Sequence, residues 1–245
     1  MTKRFIILSG PSCVGKGPLQ DAVNKFYPGL LAARPILCHS RKPRKGEVHG
    51  KHFYFLPPAY IKSLKNNSDF VVAQVRSDWQ AIDLLQVQDL LEGENEIVFV
   101  EAFHTFGKHI LDQLSSKNFK LISVFLLPEP FGTSDEVIVR TMREKLKRRG
   151  TEEEPKLSER AESVPLEIRS ARSYTHRILN RAGEDNIEEW GEFGKLNGER
   201  GERRIETMDD LGNKARWVLE SFVKIINGEI LPLEPDKILE FPDKS

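Results

Sequence analysis

The junction that most constrains this chain lies near its start, where the apolar run RFIILS (Arg4 to Ser9) passes without a break into GPSCVGKGPL (Gly10 to Leu19). A continuous apolar run of that length is the pattern of a strand buried on both faces of a parallel sheet. Pro18 then suits the first turn of a helix, where an N–H has no intrahelical partner, and the helix is expected to run to about Phe26, before Pro28. Strand, glycine loop and helix in that order are the setting in which G-x-x-x-x-G-K cradles phosphate groups. Gly10, Pro11, Ser12, Cys13, Val14, Gly15, Lys16 and Gly17 are therefore expected to wrap a nucleotide's phosphates, with Lys16 reaching the β- and γ-phosphates. The pattern normally continues with Ser or Thr, whose hydroxyl faces Mg²⁺; here Gly17 and Pro18 follow the lysine. Cys13 reads as a small residue that fits the loop, at a helix start that can lower a thiol pKa.

Downstream, strand-like runs recur at His52 to Leu56, Phe70 to Val75, Glu96 to Glu101, Lys120 to Leu127 and His176 to Asn180. Helix-like stretches, Ala81 to Leu91 and His104 to Leu114 among them, lie between most of them. That alternation predicts an α/β fold. Gly183 to Arg204, rich in Gly, Glu and Arg, reads as a loop. Thr207 is expected to start a helix with Asp209 and Asp210 at its positive end and an apolar face of Leu211, Ala215, Val218, Leu219, Phe222 and Ile226. The tail from Gly228, with three prolines, is expected to lie extended on the surface.

Among 245 residues, 37 Lys and Arg balance 37 Asp and Glu. No global basic field recruits nucleic acid or an anionic membrane, so phosphate recognition must come from local clusters. No apolar run approaches the ~20 residues that span a bilayer. Cys13 and Cys38 are too few for a disulfide framework, and the first apolar run is too short for a signal peptide, so a cytoplasmic protein is expected. The histidines 39, 49 and 52 lack a carboxylate or cysteine pair at metal-site spacing and read as loop residues.

The stretch SRKPRKGEVHGKHFYF (Ser40 to Phe55) sets two arginines, Arg41 and Arg44, around a proline that stiffens the chain, so that both guanidinium groups can converge on one phosphate. With the glycine loop it resembles the guanylate kinase family, matching in order at Arg41, Pro43, Arg44, Gly46, Glu47 and Gly50. The resemblance continues in RRGTEEEPKLSER (Arg148 to Arg160), which is similar to the family's lid. Charge alone would make that stretch a solvated helical face. The resemblance implies instead that Arg149 and Arg160 swing over the ATP phosphates, and that Asn180, ending HRILN, lies near the adenine. It covers about Lys3 to Asn180 plus the C-terminal helix.

What the resemblance implies is a three-layer P-loop kinase fold with a parallel core sheet. A guanylate-kinase-like domain would span 1–227, with an acceptor-binding region at about 37–89 and a helical lid at about 133–160, before a tail at 228–245. The implied reaction moves the γ-phosphoryl group of ATP, with Mg²⁺, to a nucleoside 5′-monophosphate, GMP by family default. Lys16, Arg149 and Arg160 would serve the donor; Arg41, Arg44, Glu47, Tyr54, Trp79 and Gln80 would serve the acceptor. Glu101 would hold Mg²⁺ through water. The family's acceptor-holding Ser and Tyr fall on Leu37 and Phe53, although Tyr54 is adjacent. Its guanine-reading Glu falls on Val72, its Y-G-S turn on Trp79 to Ala81, and one of its strand-end acids on Phe99. A site stripped of hydrogen-bonding groups loses discrimination by factors up to ~10⁴. The same losses raise an alternative: a non-catalytic binding module of this family for a phosphorylated partner. Retention of Lys16, Arg149 and Arg160 opposes it.

Overall fold

A computed structural model of the chain describes residues 2–43, 46–114, 119–150 and 153–242. Its elements begin with β1 (Arg4–Ser9), α1 (Lys16–Phe26), β2 (Cys38–His39), β3 (Tyr54–Phe55), α2 (Pro58–Ser63), β4 (Phe70–Val75) and β5 (Asp78–Asp83). There follow α3 (Leu84–Glu92), β6 (Ile97–Glu101), α4 (His104–Leu114), β7 (Lys120–Leu127), α5 (Asp135–Arg149) and α6 (Lys156–Ser170). The chain closes with β8 (His176–Leu179), α7 (Ile187–Trp190), β9 (Lys195–Leu196), β10 (Glu199–Arg200) and α8 (Asn213–Asn227).

The central sheet has the strand order β6-β1-β7-β8, out of sequence order as helical crossovers require. Its strands are buried along nearly their whole length, as continuous apolar runs demand, and β7 and β8 run parallel with Val124 opposite His176. Two compact units share the chain, Met1–Ile7 with Leu31–Leu121 and Leu8–Leu30 with Ile122–Ser245, and the boundary falls inside β1.

The first unit carries a second sheet in the order β3-β2-β5-β4, with β2 parallel to β3 and antiparallel to β5. Two sequence expectations change here. The helix expected from Ala81 begins only at Leu84, because Ala81 to Asp83 continue β5 against β4. Asp83 marks the switch: its carboxylate accepts from Leu85 N at 2.9 Å and Gln86 N at 3.3 Å, a helix N-cap. The strand expected over His52 to Leu56 shrinks to Tyr54–Phe55, because side-chain acceptors take the preceding backbone into a turn. His52 Nδ1 accepts from Val48 N at 2.9 Å, and His49 Nδ1 from Phe55 N at 3.1 Å.

The second unit contains α1, which runs to Phe26 as the sequence predicts. Gly183 to Arg204 is not a plain loop. It forms α7, whose Trp190 is fully buried, and a β9–β10 hairpin turning on Asn197 (φ 52°) and Gly198 (φ 84°). Both turn residues in the left-handed region make the tightest hairpin turn, for which Asn-Gly is the strongest short signal. Thr207 starts a single 3-10 turn, closed by a capping box with Asp210; α8 begins beyond it at Asn213 and buries the expected apolar face.

The tail is extended but not loose. Leu239 exchanges backbone hydrogen bonds with β8, its N–H donating to Arg177 O and its O accepting from Leu179 N. Arg177, fully buried, donates from Nε to Lys237 O at 2.8 Å and from Nη2 to Leu233 O at 2.9 Å and Glu234 O at 2.7 Å. Among the described residues no helix is long and apolar enough to cross a membrane.

Candidate functional site

The loop between β1 and α1 adopts the strained backbone that its glycines permit. Gly10 and Gly15 have φ of 144° and 96°, and a Cβ on Gly15 would lie 2.5 Å from Asn180 Nδ2. Cys13 takes φ 65° without being glycine, a conformation that costs roughly 1 kcal/mol. Lys16 folds back over the loop, its Nζ donating to Gly10 O at 2.6 Å and Pro11 O at 2.8 Å. The first helical bond runs from Leu19 N to Gly15 O. Pro18 therefore sits where a missing N–H costs little, and it is buried. Gly17 is exposed.

Two further cations stand at this loop. Arg160, on α6, has Nη1 at 3.5 Å from Ser12 Oγ. Arg149, the last residue of α5, pairs with Glu184 at 3.1 Å, both side chains largely buried. Asn180, which the resemblance sets near adenine, is 1% exposed and donates from Nδ2 to Val14 O at 2.8 Å, bracing the loop from inside. Its Oδ1 has no hydrogen-bond partner among the described residues.

Cys13 fits the loop as a small buried residue, and the helix start does not lower its pKa. The thiol is buried, beside Lys145 O at 3.5 Å and Asp185 Oδ1 at 4.0 Å. Burial, with the Asp185 carboxylate adding to it, pushes the pKa up to about 12, so the helix start does not activate this thiol. Lys145 is buried too; desolvation lowers its pKa while Asp185 opposes, and its Nζ donates to Arg181 O at 2.7 Å. Arg148 forms an ion pair with the same Asp185. Sequence reasoning missed Lys145, Glu184 and Asp185. Lys145 is one more charge in a charged helix, and the two acids sit in a stretch read as loop.

In the first unit Arg41 forms a two-pronged pair with Glu47, at 2.5 and 2.6 Å. Its guanidinium lies over the rings of Phe53 and Phe55, at 5.2 and 5.4 Å. His39, buried, meets Phe53 edge-on at 5.5 Å. Arg41 N–H donates to His39 Nδ1 at 3.2 Å, so the neutral ring carries its proton on Nε2. Nε2 lies 3.0 Å from the Gln80 side-chain amide, whose oxygen is the atom suited to face it. Arg41, Glu47, His39 and Gln80 thus form one connected group, to which Phe53 and Phe55 add apolar walls.

Tyr54 and Trp79 stand on the other face from that group. Successive strand residues point to opposite faces. Tyr54 pairs with Cys38, and both it and Trp79 pack on the apolar cluster of Cys38, Ile61 and Ala81, with Lys62 and Lys65 ammoniums 5.1 and 4.5 Å from the Trp79 ring. Tyr54 is therefore not a same-face replacement for the hydroxyl lost at Phe53. Val72 pairs with Ala81 against the same cluster. Glu101 ends β6 with its side chain exposed. Arg44 lies outside the described residues.

A parallel sheet whose first strand opens into a glycine loop with a lysine folded over it defines an α/β P-loop protein. The model of the guanylate kinase family matches residues 2–193, and the chain belongs to that family. It is 30% identical over 187 residues to the guanylate kinase of Mycoplasmoides gallisepticum (76% of this chain, 88% of that protein). Against the guanylate kinase of Mesomycoplasma hyopneumoniae strain J the identity is 26% over 188 residues (76% and 89%). The crystal structure of guanylate kinase from Anaplasma phagocytophilum shares the fold at a TM-score of 0.56 and 15% identity, covering 93% of this chain and 86% of that one.

Proposed function

We propose that the chain transfers the γ-phosphoryl group of ATP to the 5′-phosphate of a nucleoside monophosphate. The observation that carries this reading is the set of three cations at one glycine loop: Lys16 on the loop carbonyls, Arg160 at Ser12 and Arg149 at the end of α5. Phosphoryl transfer asks a protein mainly for positioning and charge neutralisation, which these groups supply. Phosphate oxygens would replace the loop carbonyls as acceptors for Lys16. The Asn180 Oδ1 atom is an acceptor suited to the adenine amino group. Arg41, held by Glu47, and Arg44 would receive the acceptor phosphate.

Mg²⁺ fits this site as a passenger on the nucleotide. Gly17 and Pro18 supply no hydroxyl, and among the described residues no group of three or more His, Cys, Asp and Glu is arranged to hold a metal. Mg²⁺ characteristically keeps waters and binds through substrate phosphates and one or two carboxylates, for which Glu101 is the proposed water-mediated contact. The ion would neutralise charge on the transferred group.

Base selection is proposed to be loose. Val72 and Ala81, where the resemblance puts guanine-reading groups, are apolar and face a helix-covered cluster. ATP and a nucleoside monophosphate are the partners proposed for this reaction.

The test is ADP release coupled to a signal, with ATP, Mg²⁺ and a panel of nucleoside and deoxynucleoside monophosphates. Turnover is expected with more than one base, with GMP favoured by less than about a hundredfold, ~2.7 kcal/mol. Lys16→Ala is expected to abolish it without unfolding the chain. Absence of turnover with every monophosphate would instead favour the binding-module reading.

A further inference from the structure

Glu184 occupies an unusual place for an acid in a site built for phosphate. One carboxylate oxygen, Oε2, pairs with Arg149 at 3.1 Å. The other, Oε1, lies 4.0 Å from where a Cβ on Gly17 would stand, at the first turn of α1. The carboxylate is thus at the positive end of the loop's helix, where phosphate oxygens belong. Its backbone is fastened on both sides: Glu184 N donates to Cys13 O in the loop at 2.9 Å, and Glu184 O accepts from Lys195 N in β9 at 2.8 Å. The hairpin also grips the other end of the pair, since Asn197 N and Gly198 N donate to Arg148 O and Arg149 O, both at 2.7 Å. Arg149 is therefore held at the phosphate loop by its side chain and its carbonyl together.

We propose that Glu184 is a positioning residue that stands in for a phosphate group: it keeps Arg149 aligned at the loop in the nucleotide-free chain and is displaced from Arg149 when a triphosphate binds. The inference rests on the kinase reading, because it takes Arg149 to be an ATP-side cation. Two anions cannot share one guanidinium in the same place without repulsion, so bound phosphate and Glu184 compete. Glu184 then opposes ATP affinity and holds Arg149 at the loop until the triphosphate takes its place.

The experiment compares the parent chain with Glu184→Gln and Glu184→Asp, using ATP and AMP titrations in a calorimeter, steady-state kinetics and a melting curve for each. Glu184→Gln keeps the shape and removes the charge. It is expected to bind ATP about tenfold more tightly, with AMP unchanged, so that KM for ATP falls while kcat stays near the parent value. Glu184→Asp keeps the charge and is expected to restore the weaker ATP affinity. A Glu184→Gln chain that melts like the parent but binds ATP equally or less tightly overturns the inference and leaves the kinase reading standing. If neither parent nor variant binds ATP, the kinase reading fails and the inference with it.

Discussion

Gly17 shows how a single position can be absent from a motif and still be accommodated. It is exposed at the first turn of α1, and a Cβ placed there would have Glu184 Oε1 at 4.0 Å. Pro18, in contrast, is buried. Gly17→Ser is therefore expected to install the missing hydroxyl at the phosphate site and tighten Mg·ATP by about one hydrogen bond, ~0.5–1.5 kcal/mol. The helix should not suffer, because Ser has the higher helix propensity of the two. Titration calorimetry with Mg·ATP and a melting curve check both statements. Unchanged affinity in a folded chain would mean that metal positioning does not depend on this turn. At this scale the position of Lys16 at the end of the glycine loop was legible from motif spacing, while Arg160 was named only through the family resemblance. Glu184 was not: an acid beside a phosphate loop has no local signal, and only the pairing with Arg149 gives it a role.

The element that most changes on going from sequence to structure is the hairpin of β9 and β10. Leu196, Asn197, Gly198 and Glu199 carry the Asn-Gly turn signal, which was open to reading, but the Gly, Glu and Arg content around it suggested a plain loop. The hairpin caps α5. Gly150 ends that helix at φ 70°, and a Cβ there would come within 2.8 Å of the Asn197 carbonyl carbon. Gly150→Ala therefore combines left-handed strain of ~1 kcal/mol with a backbone clash. It is expected to lower stability by more than that, measurable as a lower denaturation midpoint, and to weaken ATP binding by shifting Arg149. A variant that loses stability but keeps full ATP affinity would separate the hairpin from the site. The misplaced start of α3 has the same kind of cause. Propensity carries Ala81 toward helix, whereas pairing with β4 and the Asp83 cap decide for strand.

For the whole molecule, the tail beside β8 is the feature that sequence could not have placed. Leu239 adds a short stretch of pairing to β8, while Arg177 donates to three tail carbonyls from a fully buried position. Desolvation lowers its pKa, and the nearby Asp236 opposes that shift. Arg177→Ala would leave Leu233 O, Glu234 O and Lys237 O without this donor. At ~1 kcal/mol net per bond, the expected loss is about 3 kcal/mol or more. Hydrogen exchange should show the amides of Leu233 and Leu239 opening well before those of β7; equal protection in the variant would mean that the tail holds without its clamp. An arginine within HRILN reads locally as a surface charge on a strand, and nothing in that pentapeptide announces carbonyls that arrive from 56 to 60 residues later.

By itself the sequence determined the α/β class, the family, and a glycine loop with Lys16 after a buried strand, because each rests on short-range spacing or on apolar runs that bury wherever they lie. Tertiary structure alone decided which face each acceptor-region side chain takes, since alternation does not say which face is covered until β2 and β5 are paired and Tyr54 and Trp79 pack toward Ile61, on the face opposite Arg41 and His39. It likewise decided that the Cys13 thiol is buried with its pKa raised, that Arg149 is held by Glu184, and that the tail is clamped. Those outcomes depend on burial and on partners distant in the chain, and a residue's neighbours in sequence carry no information about either.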